Sequence, residues 1–417
     1  MAIVDEATAD VGADLGFNLG VLGSSAPVFP GFEVDISERV DDADKPDAVW
    51  HRQRARAMLE AHPEIKQLFG RTPSTALWCV LFAALQLGLA WALARQPVWL
   101  VALVAYVFGS WVNINLFMLA HECNHGLVFR RTSWNRWLFT LTSLPMALSA
   151  HHTWWMEHHV HHNDLGAKKD FVKRRRTFML ETRRRFLYFI KRGRYLHLVS
   201  WLSSPMFFPY SLFVVGLQFL RSLLGLVVHG AGWLRFRLEP SSRALAILAD
   251  RHLVSGYRRY GITQWAVVYP LLSLGMMATI YGIGGWKSVV YLLLSQVFMT
   301  GFLHPILFGM ILNDSHFHGR SRYQPSTSYY GWLNRFTFNY GLHTEHHDLP
   351  AIPWSRLSRL RQLAPEFYDP LAQTRGYAGL ALRFIFGHRL DREDGFDNEL
   401  YRNRDLQAAA RVEVRAE

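Results

Sequence analysis

The chain has 417 residues, half of them hydrophobic, with 28 Phe, 16 Tyr and 15 Trp and a formal net charge of +12. That length suits two soluble domains or one polytopic membrane protein, and the gathering of the charge into arginine clusters between apolar runs selects the second. Basic runs of this kind suit a membrane surface; with no zinc finger and no aromatic-interleaved single-strand motif, no nucleic-acid partner is expected.

Residues 1–46 are acidic (Asp5, Glu6, Asp10, Asp14, Glu33, Asp35, Asp41, Asp42, Asp44) and read as a solvated extension. Met1–Glu6 has neither a basic nor an apolar leader region, so no cleaved signal peptide is expected. From Asp47 to about Leu68, the residues Trp50, Ala55, Met58, Leu59 and Ile65 recur at roughly helical spacing, with Arg52, Arg54 and Arg56 between them. This predicts a short amphipathic helix at the membrane surface.

Crossing a bilayer takes about 20 mostly apolar residues. Thr75–Ala94 and Val98–Ala120, joined through Arg95-Gln96-Pro97, meet that requirement. So do Ile262–Ile283 and Ser288–Leu312, joined through Gly284-Gly285-Trp286-Lys287. Leu196–Leu234 is also apolar, but Pro205, Pro209, Gly216 and Arg221 make it an interfacial or re-entrant segment. The expected fold is all-α: a polytopic membrane protein with four transmembrane helices in two hairpins, interfacial helices and a cytosolic histidine-rich cap. Residues 47–375 form the membrane domain, with a basic insertion at 171–261, and 376–417 a polar tail.

Lys168-Lys169, Lys173–Arg176, Arg183–Arg185 and Lys191-Arg192 lie between the hairpins. The positive-inside rule puts this loop in the cytoplasm. The protein is then a multi-pass protein of a bacterial inner membrane, or of the endoplasmic reticulum in a eukaryote. The basic run anchors lipid headgroups or docks an acidic electron-transfer protein. Cys79, inside an apolar run, and Cys123, between two histidines, are not expected to pair.

The chemistry lies in the histidines. His121 and His125 are spaced i, i+4; His158, His161 and His162 repeat the i, i+3, i+4 spacing of His343, His346 and His347, which puts each set on one helical face. Packing demands no such repetition. Neutral imidazole suits iron, copper and zinc, and these eight rings exceed what one metal takes. Two metals sharing the set is the economical reading, with iron suited to oxygen chemistry. An even number of spans brings all three clusters to one membrane face. His316 after the fourth span could complete the set, with His318 a weaker rival, and Asn313 could hold a metal-bound water. Asp164, Asp314, Glu345 and Asp348 are candidates to accept the free ring N–H of a ligand histidine. His159 faces elsewhere, and His51, His62 and the other isolated histidines read as hydrogen-bonded packing residues. Trp154, Trp155, Trp332 and Trp354 read as interface-belt residues. No haem-binding HPGG motif, P-loop or dinucleotide glycine fingerprint occurs, so electrons must come from a separate donor.

These motifs resemble the membrane fatty acid desaturase and hydroxylase superfamily, and within it the sphingolipid delta-4 desaturases. The resemblance covers roughly residues 50–170 and 260–375: His62-Pro63-Glu64-Ile65-Lys66, Ala105–Ser110 before the first cluster, Trp134–Trp137 and Leu144-Pro145 before the second, and Ser328–Gly331 and Thr337–Asn339 before the third. Glu345-His346-His347-Asp348, followed by Pro350, Ile352 and Pro353, is similar to that family's signature, although Thr344 stands where Asn is usual. The resemblance implies a diiron centre that uses dioxygen and two external electrons, from cytochrome b5 or from ferredoxin with its reductase. It implies desaturation of a saturated acyl or sphingoid chain in a membrane lipid, dihydroceramide-like delta-4 desaturation being favoured. Hydroxylation at the same centre is the alternative. A zinc-dependent membrane hydrolase is a third reading from the histidines alone. Residues 171–261 depart from the family.

Overall fold

A computed structural model describes residues 46–147, 155, 158–159, 161–163, 165–166, 265–301, 303–314 and 324–386. Residues 1–45, the basic insertion, Leu196–Leu234, Asp164, His316, His318 and the chain from 387 onward lie outside the described residues.

Among the described residues every regular element is a helix, apart from one isolated bridge between Ser328 and Gln373. In chain order come α1 (Pro46–Ala61) and a 3-10 turn (Pro63–Leu68), then α2 (Thr75–Ala92), α3 (Val98–Asn124) and α4 (Thr132–Ser143). The second half holds α5 (Trp265–Thr300), α6 (Pro305–Asp314), α7 (His343–Asp348), α8 (Trp354–Leu363), α9 (Pro365–Tyr368) and α10 (Tyr377–Phe386).

Helix α2 shows why the chain needs a bilayer. It buries Cys79, Ala83, Gln86 and Ala90 at helical spacing and turns Leu77, Trp78, Val80, Leu81, Leu85 and Trp91 outward. Small residues inside and large apolar ones outside suit helices that pack in lipid. By length and composition Thr75–Ala92, Val98–Asn124 and Val268–Thr300 can cross a membrane, which makes three such helices among the described residues where four were expected. The difference has two local causes. Helix α5 runs through both expected segments of its pair but breaks at Gly285 (φ 71°, ψ −170°), a conformation suited to glycine. The expected Ser288–Leu312 helix stops at Thr300, and α6 starts afresh at Pro305, which has no N–H to continue a helix.

The two arms of α5 lie against the same partners. Met276, Met277 and Ile280 from the first arm and Tyr291 and Leu292 from the second share one cluster with Ala90, Leu93 and Val101. At the break, Lys287 Nζ donates to Gln96 O (2.8 Å) and Ser288 Oγ to Ala90 O (2.6 Å), which ties the α5 turn to the α2–α3 turn. Midway along, Gln86 Nε2 donates to Asn113 Oδ1 (2.9 Å), Asn113 Nδ2 to Gln296 Oε1 (3.2 Å) and Tyr291 Oη to Gln86 Oε1 (3.0 Å). Such a mutually satisfied polar set holds three helices together where water is absent. Helix α3 carries a π-helical stretch at Ala105–Gly109, and a Cβ on Gly109 would lie 2.1 Å from Ser295 Oγ. The glycine lets α3 and α5 approach.

The helix expected over Asp47–Leu68 is present, broken at Pro63. It faces protein rather than only a membrane surface: Trp50, His51, Arg54 and Met58 are buried. Ala57, Met58, Ile65 and Leu68 pack with Leu342, Leu349, Ile352, Leu357, Leu360 and Phe367 in a second core under α7. At its rim His62 Nε2 pairs with Glu366 Oε1, and His62 Nδ1 lies 3.4 Å from Glu64. The bond to Glu366 raises the His62 pKa above its usual 6.5, so the stabilisation is complete below 6.5 and is lost as pH rises through the raised value. Partial burial pushes Glu366 up, but its bond to His62 prevails and holds it below its usual 4.5; that part is lost as pH falls through the lowered value. H62A should therefore lower the melting temperature most between about pH 4.5 and 6.5 and little at about pH 9, by less than about 1 kcal/mol for so exposed a pair. Equal shifts at both pH values would contradict the assignment.

Helix α10 begins where the polar tail was expected and packs on α6, burying Tyr377, Leu380, Ala381 and Phe384. Trp332 is 66% exposed, as a belt residue would be, but Trp155 is buried against Phe139. Trp354 packs on Phe338 and donates from Nε1 to Thr75 Oγ1 (3.1 Å). Cys79 and Cys123, from α2 and α3, are both free and buried in the same apolar cluster.

Candidate metal centre

The histidines gather at the end of the bundle away from the tied turns. His121 and His125 occupy the last turn of α3, which closes on Gly126 (φ 68°) with Leu127 N bonded to Glu122 O and Gly126 N to Cys123 O. This glycine-capped ending fixes where the ring of His125 emerges. His158 and His159, then His161 and His162, lie on helical turns. His343, His346 and His347 are carried by the six-residue α7.

One ring nitrogen from each of His121, His125, His158, His162 and His346 lies within 4.8 Å of all the others. The Nε2 atoms make a chain: His125 to His158 at 2.8 Å, His158 to His162 at 3.1 Å and His162 to His346 at 3.1 Å. Two nitrogens bound at right angles to one ion at about 2.0–2.1 Å would lie about 3 Å apart. The spacing therefore fits shared ligation. His161, His343 and His347 stand beside this group, His347 with its ring centroid 4.5 Å from His162, 5.0 Å from His161 and 4.4 Å from His343. The eight clustered histidines thus come together from three remote stretches of chain. His159 sits at the edge, 6.4 Å from His125 and 6.1 Å from Trp155.

Burial, and then the proximity of other imidazoles, holds His125, His158, His162 and His346 well below the usual histidine range. Burial and then Arg136 bring His159 down to about 4. Neutral rings keep a lone pair for a metal and bring no repulsion of their own, so the donor set fits a transition metal.

The acidic candidates are held as follows. Glu345, fully buried in α7, accepts from Ser328 Oγ and from Tyr330 Oη (2.8 Å). Burial raises its pKa, against the pull of those two hydroxyls. Asp348 accepts from His51 Nδ1 (2.6 Å) and from Arg54 Nη2 (3.0 Å). Asn313 Nδ2 donates to Thr327 O (3.0 Å), while its Oδ1 accepts from Thr327 and Thr374. Asp314 ends α6. Glu122 was absent from the sequence-derived set. It is buried between the first-cluster histidines and accepts from Trp354 N (3.2 Å), joining α3 to the start of α8. Its position inside His121–His125 was the only available signal.

Apolar helices with converging imidazoles at one end define a class of membrane proteins built around a histidine-rich candidate metal centre. A family model described as fatty acid desaturase matches residues 97–377, and one described as sphingolipid delta4-desaturase (DES) matches residues 43–74. The chain belongs to the fatty acid desaturase family. It is 32% identical over 340 residues to a human protein named sphingolipid delta(4)-desaturase/C4-monooxygenase DES2, covering 81% of this chain and 88% of the relative. It is 30% identical over 364 residues to the sphingolipid delta(4)-desaturase of Candida albicans, covering 83% of each. A DES1-like sphingolipid delta(4)-desaturase of Oryza sativa subsp. japonica is 30% identical over 339 residues, with 80% of this chain and 86% of the relative covered. The chain is thus an oxidoreductase acting on lipids. No solved structure matches significantly.

Proposed function

We propose that the chain is a dioxygen-dependent diiron desaturase that introduces a delta-4 double bond into the sphingoid chain of a dihydroceramide-like lipid. The observation that carries this reading is the convergence of five imidazoles from three distant stretches. His121, His125, His158, His162 and His346 form one side of the ligand set, with His161, His343 and His347 beside them and His316 completing it. A pair of iron ions would supply the oxidising power to take hydrogen from an unactivated methylene. The neutral rings hold and orient the metals, and Ser328 and Tyr330 fix Glu345 so that α7 keeps its three histidines turned inward. The apolar core below, with Leu116, Leu119, Leu307 and Met310, excludes water from the reacting carbon.

The break in α5 supports two hairpins and four passes, with the histidines on the cytoplasmic face of a bacterial inner membrane or of the endoplasmic reticulum. Two electrons come from cytochrome b5 or from ferredoxin with its reductase. A second reading, hydroxylation at the same centre, is favoured by the C4-monooxygenase named for the human relative.

Metal analysis of the purified full-length protein should find about two iron ions per chain, in keeping with a ligand set too large for one ion. Supplied with a saturated sphingoid lipid, reductant and dioxygen, it should form a product lacking two hydrogens. A product gaining one oxygen would select the hydroxylase reading. Zinc without iron would remove both.

A further inference from the structure

The segment that matches the sphingolipid delta4-desaturase model, residues 43–74, lies outside the 97–377 match, yet it reaches the histidines. His51 and Arg54 stand three residues apart on α1 and so share one face. Both are buried, and both are directed at Asp348, the last residue of α7. His51 Nδ1 meets Asp348 Oδ1 at 2.6 Å. Arg54 donates to Asp348 Oδ2 from Nε (3.2 Å) and from Nη2 (3.0 Å) and anchors itself on Phe367 O (2.9 Å). His51 Nε2 lies 3.2 Å from Ser326 Oγ, which donates to Thr344 Oγ1 (3.1 Å) inside α7. The ring of His51 is 5.3 Å from that of His347.

A helix of six residues has little stability of its own, so something outside it must set its position. We propose that His51 and Arg54 are positioning residues: acting through Asp348, they fix α7 so that His343, His346 and His347 face the metals. The third histidine cluster is then completed by an N-terminal helix outside the desaturase core. The inference rests on the metal reading of the cluster.

The test compares full-length wild type, H51A, H51N, R54K and, as a metal-free reference, H125A in lipid nanodiscs. Ferrous iron affinity is measured by competition with a chelator, and melting is measured on the metal-stripped forms. H51A should lose iron affinity by about 10- to 100-fold, as removal of groups supporting ligands typically does, with its metal-stripped melting close to wild type. R54K should do the same, since an ammonium cannot reproduce the fork on the carboxylate. H51N, whose amide N–H stands near the position of Nδ1, should recover much of the loss. Wild-type iron affinity in both H51A and R54K would overturn the inference while leaving the metal reading intact. So would a loss matched by equally impaired folding in every variant. A well-folded wild type that binds no iron would overturn the metal reading, and the inference with it.

Discussion

H346A should reduce product formation to the level of cells lacking the protein. His346 is buried at the meeting point of the three clusters, its Nε2 3.1 Å from that of His162 and its ring centroid 4.3 Å from His121 and 4.7 Å from His125. Removing the ring deletes a nitrogen donor and opens a polar hole that no neighbouring imidazole can fill without giving up its own position. Loss of a group that merely supports a ligand typically costs 10- to 100-fold, so loss of a ligand should cost more. The measurement is the lipid profile of cells expressing wild type and H346A at equal level. The exposed W332A serves as a reference for substitution remote from the rings. If H346A gives the wild-type profile, His346 is not part of the catalytic centre.

G309A should be the most damaging alanine substitution for folding. A Cβ at Gly309 would lie 2.0 Å from the carbonyl oxygen of Tyr377 and 2.4 Å from its carbonyl carbon. This is backbone against backbone, so no rotamer change relieves it; α6 and α10 have to separate. Their separation would disturb the bonds of Asn313 on α6 to Thr327 and Thr374. Overpacking usually costs about 1–3 kcal/mol, and a clash between two backbones belongs at the upper end. G379A is the internal comparison. It lies in α10 itself, has nothing within 4 Å of its added methyl, and should gain stability by up to about 1 kcal/mol from helix propensity. Thermal unfolding in detergent separates the two. Similar melting temperatures for both variants would show that α6 and α10 are not in such close contact.

Much of this was legible in the chain itself. Apolar length placed α2 and α3 to within a few residues, and the repeated histidine spacing named the rings that meet, because both signals repeat within a few residues along the chain. The end of the fourth apolar stretch was placed too late because composition does not register where a helix stops. Pro305 and the turn before it divide a run that hydropathy treats as continuous. Arg54 misled for another reason. Arginine is normally solvated, and nothing near residue 54 announces a buried carboxylate 294 residues later.

The sequence by itself determined the helical class, the three imidazole clusters and the family resemblance, since each depends on local spacing and residue type. Only the tertiary structure decided that His51 and Arg54 hold Asp348, that Glu122 joins α3 to Trp354, and that Cys79 and Cys123 share one buried cluster. Such contacts form between segments remote in the chain, where burial removes competing water and lets a short-range bond persist. No pattern of neighbours along the polypeptide encodes that proximity.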